Sequence, residues 1–322
     1  FFSLSSNQYS SYDVKEYDTF SVLLESFYKK RDNMYHVRQR AHDVRRIVVS
    51  NIERCIKKSD IQQKAIKDTE DREKYRLYGE LITANIYSIE PSSTKLVTQN
   101  YYEEGMPEIE IPLDPLLTPS ENAARYFNRY NKAKRTYAAT IIQKEQNDAE
   151  LLYLESVLSA IDASDDDSDI SEIRRELINE GYIRQKKQDK NKNVKKTKPL
   201  HFVSSDGFDI YAGKSNIQND ELTLRFAESN DIWLHTKNIP GSHVIIKCGE
   251  KTVPDRTIEE AAVIAAYYSK AKDSTKVPVD FTLRKYVKKP NGSKPGMVIY
   301  VQNRTAYVDP DESLVNRLEA EK

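Results

Sequence analysis

Two long stretches of the chain repeat apolar residues every three or four positions. In residues 18–78 the repeated positions include Met34, Val37, Ala41, Val44, Val48, Ile52 and Cys55. In the second stretch they are Phe127, Tyr130, Tyr137, Ile141, Leu151, Leu154, Leu158 and Ile161. This spacing places apolar side chains along one stripe of an α-helix. The two stripes predict a long antiparallel helical hairpin, paired like a coiled coil, over residues 18–163.

Local signals predict how this hairpin is closed. The first helix is expected to stop near Tyr78-Gly79. Alternating residues at 95–104 and 108–115 predict two β-strands turning at Glu104-Gly105, as a small β insert at about 80–117. Thr118 and Glu121 have the spacing of a capping box, with proline between them, so the second helix is expected to begin there.

The segment 164–198 separates the hairpin from the C-terminal part of the chain. The acidic run 163–169 is expected to end the hairpin, with residues 165–169 as a variable linker. A short helix should come next, capped by Asp169 with Glu172 and closed by Gly181. Residues 184–198 are almost uniformly basic and have no apolar period, which predicts a solvated linker that is also able to touch phosphate. Residues 1–17 are expected to be the tail of a preceding domain.

From residue 199 to residue 310 the pattern changes to short strands and turns. Asp206-Gly207 predicts a β-hairpin turn, and Thr257 with Glu260 predicts a capped helix. The strand candidates are residues 232–236, 244–247, 279–284, 297–301 and 305–308. These elements predict a compact α/β module, followed by a polar tail or short helix at 311–322. The fold class as a whole is therefore α+β.

Composition narrows the function classes. Hydrophobic residues make up 38% and charged residues 31%, with a mean hydropathy of -0.73, which is too polar for one large globule. The net charge is +0, so any nucleic-acid surface must come from local charge. Cys55 and Cys248 lack metal-ligand spacing, and a reducing compartment is expected, with no metal and no cofactor. No signal peptide, membrane span or glycine-rich nucleotide loop is evident, so the cytoplasm is the default location.

Residues 231–246 hold the densest unusual chemistry. Trp233, His235 and Lys237 should share one face of a strand, where they could stack a base and hold a phosphate. The tight turn before His243 offers backbone amides and the Ser242 hydroxyl to an anion. The alternative is structural, with the indole filling the core and His235 partly buried.

Two further interpretations of this segment are weaker. Asp231, Ser242 and a histidine supply the residue types of a triad, yet no nucleophile elbow surrounds the serine. His235, His243 and Cys248 show no recognised metal-ligand spacing. We therefore expect no catalytic residue here.

A second basic cluster lies at residues 284–296, where an aromatic residue is interleaved with cations. Together the two segments and their flanks give the candidate RNA-binding residues Lys214, Asn216, Trp233, His235, Lys237, Ser242, His243, Arg284, Lys285, Lys288, Lys289 and Lys294.

Several motifs resemble one family in the correct order. They are SSDGFDIYAGKSNIQNDELTLRFA, DIWLHTKNIPGSHVII, TIEEAAVIAAYYSKA, VPVDFTLRKYVKKPNGSKPGMVIY and YVDP in the module, and KYRLYGELITAN and IPLDPLLTPSENAARYFNRYNKAKR in the hairpin. The first group resembles the NFACT-R module, and the second resembles the coiled-coil middle region of the NFACT family. The module's signature falls on Asp206, Gly207, Gly213, Lys214, Asn216, Asn219, Asp220, Trp233, His235, Lys237, Gly241, Ser242, His243 and Lys270.

The resemblance implies a function. Bacterial members of the family resemble RqcH-like ribosome quality control factors, which implies binding to the large ribosomal subunit (50S), its rRNA and tRNA. It also implies recruitment of alanyl-tRNA for alanine tailing of stalled nascent chains, with peptide-bond chemistry left to the ribosome. Some members are also called fibronectin- or fibrinogen-binding proteins, so an adhesin present at the cell surface without a signal peptide is the alternative. An RNA-processing enzyme built on the strand pair from Trp233 to His243 is a third hypothesis. It would require an RNA-cleaving activity that is lost on changing His235 or His243, and we expect no such activity.

Overall fold

The computed structural model describes residues 17–164, 166–184 and 197–320. Residues 1–16 of the predicted tail, most of the basic linker and the side chains of Met34 and Val37 lie outside the described part. Two compact units make up the chain, one of residues 51–152 and one of residues 1–50 with 153–322. The domain boundaries expected from the sequence stay predictions.

The unit of residues 51–152 contains a helical hairpin with a β cap. Its elements come from α1 (Phe20–Lys67), α2 (Arg72–Ala84), β1 (Lys95–Gln99), β2 (Glu108–Pro112) and α3 (Pro119–Asp162). The Asn147 amide donates to the Cys55 carbonyl at 2.9 Å, and the Arg72 guanidinium lies 4.0 Å from the centroid of the Tyr137 ring. Asn147, which comes after Tyr137 in α3, thus contacts Cys55, which comes before Arg72. This reversed order confirms the predicted antiparallel pairing.

The long helix predicted over residues 18–78 is present but bent, as two consecutive helices. A turn at residues 68–71 separates α1 from α2, and the Thr69 hydroxyl donates to the Ile66 carbonyl at 2.7 Å there. The predicted stop at Gly79 is wrong, because α2 continues to Ala84. Gly79 is buried inside the helix, and its missing side chain leaves room for the Phe127 ring of α3. This glycine serves close helix packing and is not a helix end.

Replacing Gly79 by alanine is expected to destabilise this unit by about 1–3 kcal/mol, because overpacking outweighs the helix propensity that alanine adds. The new Cβ would lie 2.9 Å from Cζ of Phe127, a distance that requires the ring to move. Urea unfolding followed by far-UV circular dichroism measures the loss. The double variant Gly79→Ala/Phe127→Leu should recover part of it, and unchanged or higher stability in Gly79→Ala would contradict this packing.

The cap and the second helix begin as predicted. Strands β1 and β2 pair antiparallel from Lys95↔Pro112 to Gln99↔Glu108, and Gly105 has a φ of 85° in the connecting loop. At the start of α3, the Thr118 amide donates to Glu121 Oε2 at 2.7 Å, and the Glu121 amide donates to Thr118 Oγ1 at 3.3 Å. The capping box is therefore confirmed.

The second unit joins helix ends to a six-stranded sheet. In chain order the elements after α3 are α4 (Asp167–Asn179), β3 (Leu200–Val203), β4 (Asp209–Ala212), α5 (Asn216–Glu221), β5 (Ile232–Thr236), β6 (Val244–Ile246), α6 (Asp255–Tyr267), β7 (Val277–Leu283), β8 (Val287–Lys288), β9 (Ile299–Tyr300), β10 (Arg304–Val308) and α7 (Glu312–Leu318). The sheet order is β10-β7-β5-β6-β4-β3, with every neighbouring pair antiparallel. Strands β8 and β9 form a separate two-stranded ribbon.

The sheet is covered differently on its two faces. Helix α6 packs on the first face, over buried residues such as Leu234, Val244 and Val279. Val315 of α7 is buried in the same cluster, which confirms a short helix at the end of the module. The second face carries Trp233 and Ile245 under a π-helical turn at Leu222–Phe226 and the inner side of the β8–β9 ribbon. Neither α5 nor this π-helical turn was predicted.

Two predicted caps are corrected. Asp166, not Asp169, caps α4 by accepting from the Ser168 amide, so residues 167–169 belong to a helix and not to a linker. Helix α6 begins at Asp255, before the predicted capping box. The Thr257 hydroxyl donates to Asp206 Oδ2 at 2.8 Å instead, and so ties α6 to the β3–β4 turn. Gly181, with a φ of 81°, follows the end of α4 as predicted.

Within the described ranges, no helix combines the length and apolar composition needed to cross a lipid bilayer.

Candidate nucleic-acid interface

Strand β5 places three candidate residues on the second face of the sheet. Trp233 and His235 alternate with Ile232 and Leu234, which pack against the cluster beneath α6. The Lys237 amide, one residue past the strand, donates to the Pro278 carbonyl at 2.9 Å. The shared face follows from the two-residue period of a strand.

Trp233 is 0% exposed and fills the middle of this face. Its ring centroid lies 4.8 Å from that of Tyr300 and 5.1 Å from that of His243. Within the described part of the chain its indole Nε1 has no hydrogen-bond partner. A base cannot stack on a ring that is enclosed in this way. Trp233 is therefore a core residue and not a platform for stacking a base.

The two histidines of the segment are neutral groups at neutral pH. Burial lowers the pKa of His235 to about 4, against the opposing effects of the Gly241 backbone and Asp280. Burial likewise holds the pKa of His243 well below its usual value. His243 is fixed by its Nδ1, 2.7 Å from Thr223 Oγ1, and by its amide, which donates to Asn219 Oδ1 at 2.9 Å. Neither ring offers a positive charge to a phosphate.

Three further candidates hold the loops of the module together. The Ser242 hydroxyl donates to the Gly213 carbonyl at 2.6 Å, so its proton is not directed to a histidine base. The Asn216 amide donates to Ser156 Oγ at 2.9 Å and to Glu176 Oε1 at 3.1 Å. Lys214 Nζ pairs with the buried carboxylate of Asp169 at 3.2 Å. These contacts explain the residue types without a ligand.

Lys237 is the exposed cation of this segment, with 46% of its side chain accessible. Its Nζ lies 3.8 Å from Asp280 Oδ1. Asp280 is buried and accepts from the Tyr300 hydroxyl at 2.9 Å and from the Thr305 hydroxyl at 2.5 Å. The ammonium group thus remains accessible to an anion above a carboxylate that is already satisfied.

The basic cluster at 284–296 separates into two groups. Arg284 donates to the Thr223 and Leu224 carbonyls at 2.7 and 3.0 Å. Lys289 pairs with Asp220, and Lys294 Nζ pairs with Glu180 Oε2 at 3.1 Å. These three cations stabilise the fold.

Lys285 and Lys288 form the other group, because both side chains are exposed. In the described part of the chain neither of them is paired with a carboxylate.

Two segments of the chain are rich in cations and free of acidic residues, and they carry the exposed cations that could bind RNA. Residues 281–308 contain six lysines and arginines and no acidic residue. Residues 122–144 also contain six lysines and arginines and no acidic residue. The second segment lies on α3, with exposed Arg125, Arg129, Lys132, Lys134 and Arg135, and was missed from the sequence. Scanning the chain for stretches without acidic residues would have found it.

Two family models match the chain. One, described as NFACT N-terminal and middle domains, matches residues 1–196. The other, described as NFACT protein RNA binding domain, matches residues 198–301.

The chain is also similar to named relatives. It is 43% identical to the Rqc2 homolog RqcH of Bacillus subtilis over 95% of this chain and 54% of that protein. It is 37% identical to the Rqc2 homolog RqcH of Streptococcus suis over 94% of this chain and 54% of that protein. The chain thus spans about half the length of these relatives.

A solved structure shares the fold. It is the C-terminal part of the fibronectin/fibrinogen-binding protein from Streptococcus suis, with a TM-score of 0.70 and 33% sequence identity. The match covers 88% of this chain and 99% of that one.

Proposed function

Because the chain belongs to the NFACT family, we propose that it is part of a ribosome quality control factor that binds the large ribosomal subunit and tRNA. In this proposal it supports alanine tailing of stalled nascent chains, using alanyl-tRNA. The relatives named RqcH, similar over more than nine-tenths of this chain, support the assignment.

The observation that carries the proposal is a pair of exposed lysines in a stretch of the module's sequence that contains no acidic residue. Lys285 and Lys288 are exposed within the range that matches the RNA binding domain, and no acidic residue lies between Asp280 and Asp309. The whole chain has a net charge of +0, so this positive charge is local. Local lysines attract phosphates and release the counterions condensed on RNA. The exposed cations of α3 offer a second surface of the same kind in the other unit.

The residues at the sheet centre are used for folding in this proposal, and not for chemistry. His235, His243 and Ser242 are engaged with neighbours in the module. The chain would therefore contribute binding and positioning, while the ribosome forms the peptide bonds. No cofactor is needed for such a role, and it places the chain in the cytoplasm with the ribosomes.

Sedimentation of the chain with purified 50S subunits at low and moderate salt tests the proposal. Binding should weaken steeply with salt, and Lys285→Ala/Lys288→Ala should reduce the salt slope by about one unit per lost phosphate contact. Lys251→Ala, which changes an exposed lysine outside both cationic segments, is the matched control. Binding that does not depend on salt, or wild-type chain that stays in the supernatant, would overturn the proposal.

The second candidate is binding to fibronectin or fibrinogen. It is favoured by the name of the structural neighbour and by the exposed Tyr87, Tyr102 and Leu116 of the unit of residues 51–152. Large exposed apolar side chains are typical anchors of protein interfaces. The same salt series with immobilised fibronectin or fibrinogen separates the two candidates, because apolar docking persists at high salt whereas phosphate contacts do not.

A further inference from the structure

The outer side of the β8–β9 ribbon combines exposed apolar side chains with exposed cations. Val287 and Tyr300 are paired across the ribbon and pack inward with Trp233. Lys288 and Ile299, the next cross-strand pair, therefore point outward. We call Lys285, Tyr286, Lys288, Ile299 and Val301 the ribbon surface.

Apolar exposure on this surface is large. Ile299 is 59% exposed and Val301 is 60% exposed. Tyr286 is half-buried, and the Lys285 ammonium lies 5.2 Å from its ring centroid. Two β-branched side chains and an aromatic ring beside two lysines form a patch that water solvates poorly and that an anion can approach.

The ribbon is held firmly to the sheet. Within the ribbon, the Val301 amide donates to the Tyr286 carbonyl at 3.3 Å. The Thr282 hydroxyl of β7 donates to the Val301 carbonyl at 3.1 Å and so links the ribbon to the sheet. The Tyr300 hydroxyl donates to Asp280 Oδ2 at 2.9 Å. A surface fixed in this way is ordered before a ligand arrives, which lowers the entropic cost of binding.

Charge selects the kind of ligand. Residues 281–308 carry cations only, and within the described ranges no carboxylate is paired with Lys285 or Lys288. A polyanion with flat apolar groups complements this surface, and an unpaired RNA strand has both features. In a duplex the bases are stacked inside, so the apolar patch would meet only phosphates and sugars.

We propose that the ribbon surface binds an unpaired RNA segment. The bases pack against Tyr286, Ile299 and Val301, while Lys285 and Lys288 contact the neighbouring phosphates. This proposal rests on the proposed RNA-binding function and adds to it the preference for single strands.

Fluorescence anisotropy of the full chain tests the preference, with one labelled single-stranded RNA and the same sequence as a blunt duplex. Ile299→Thr/Val301→Thr keeps the β-branched shape but removes apolar surface. We expect it to weaken single-strand binding about fivefold or more, because the bases lose apolar contact area, without changing duplex affinity or the salt slope. Lys285→Ala/Lys288→Ala should weaken the binding of both single strand and duplex and should lower the salt slope.

Tyr307→Leu is the matched control, because Tyr307 is 70% exposed on β10 and lies outside the ribbon surface. Intrinsic fluorescence of Trp233, the single tryptophan, verifies that every variant is folded. Equal losses for single strand and duplex, or no loss in Ile299→Thr/Val301→Thr, would overturn the inference and leave the RNA-binding function standing. Wild-type chain that binds neither RNA would overturn both. Unchanged RNA affinity together with lost 50S binding would assign the ribbon surface to a ribosomal protein and also overturn the inference.

Discussion

Replacing Trp233 by alanine is expected to destabilise the module by about 3–5 kcal/mol, the range for deleting a large buried ring. The indole is 0% exposed and is enclosed by Leu222, Ile245 and Val287. Its removal would leave a cavity between the sheet and the β8–β9 ribbon, because the ribbon is tied to β7 and cannot simply collapse into the space.

Urea unfolding followed by far-UV circular dichroism measures this loss. Trp233→Phe should cost less, because a smaller ring still fills part of the site. Lys288→Ala should leave stability nearly unchanged, because that side chain is exposed. A Trp233→Ala variant with wild-type stability and reduced RNA affinity would show that the indole is a stacking platform after all.

The helices and turns whose signals are local could be predicted from sequence. The capping box at Thr118 and Glu121 and the turns at Gly105 and Gly207 depend on residues within a few positions of one another. Gly79 shows where this approach fails. Its role depends on Phe127, which lies 48 residues away in sequence and becomes a neighbour only when the two helices pack.

The candidate site shows the same limit. Sequence identified the cationic cluster at 284–296, but it could not tell which cations are engaged in the fold. The partner of Lys294 is Glu180, 114 positions away, and Arg284 donates to carbonyls of a π-helical turn that no pattern predicted. Residue type predicts what a side chain can contact, whereas its exposure depends on distant packing.

Glu176 is expected to make the stability of its unit depend on pH. Its carboxylate is buried between α3, α4 and α5, where it accepts from the Tyr153 hydroxyl at 2.9 Å and from the Asn216 amide at 3.1 Å. Burial raises the pKa of Glu176 to about 7 from 4.5, although both hydrogen bonds act to lower it. Between these two pH values the folded state binds a proton that the unfolded state has released. Stability contributed by this group therefore falls as pH rises from 4.5 to about 7, by about 3 kcal/mol in all, and is constant above that range.

His235 changes stability with pH in the opposite direction to Glu176. Because its folded-state pKa is about 4, the unfolded state binds the extra proton as pH falls below 6.5, and stability is lost toward acid. His243, whose pKa is also lowered by burial, acts in the same direction as His235. The contribution of Glu176 must therefore be measured as a difference between variant and wild type. Glu176→Gln should gain stability relative to wild type by about 3 kcal/mol between pH 4.5 and pH 7.5. Urea unfolding followed by Trp233 fluorescence measures this gain, since Trp233 reports on the same unit.

Glu259→Gln, at an exposed position on α6, provides the matched control. The offset of Glu176→Gln at low pH reports the hydrogen bonds that glutamine cannot reproduce. Only the pH dependence of the stability difference between Glu176→Gln and wild type reports proton binding by Glu176. A constant difference would mean that Glu176 is ionised throughout this range in the folded chain. In that case the hydrogen bonds from Tyr153 and Asn216 would outweigh the effect of burial.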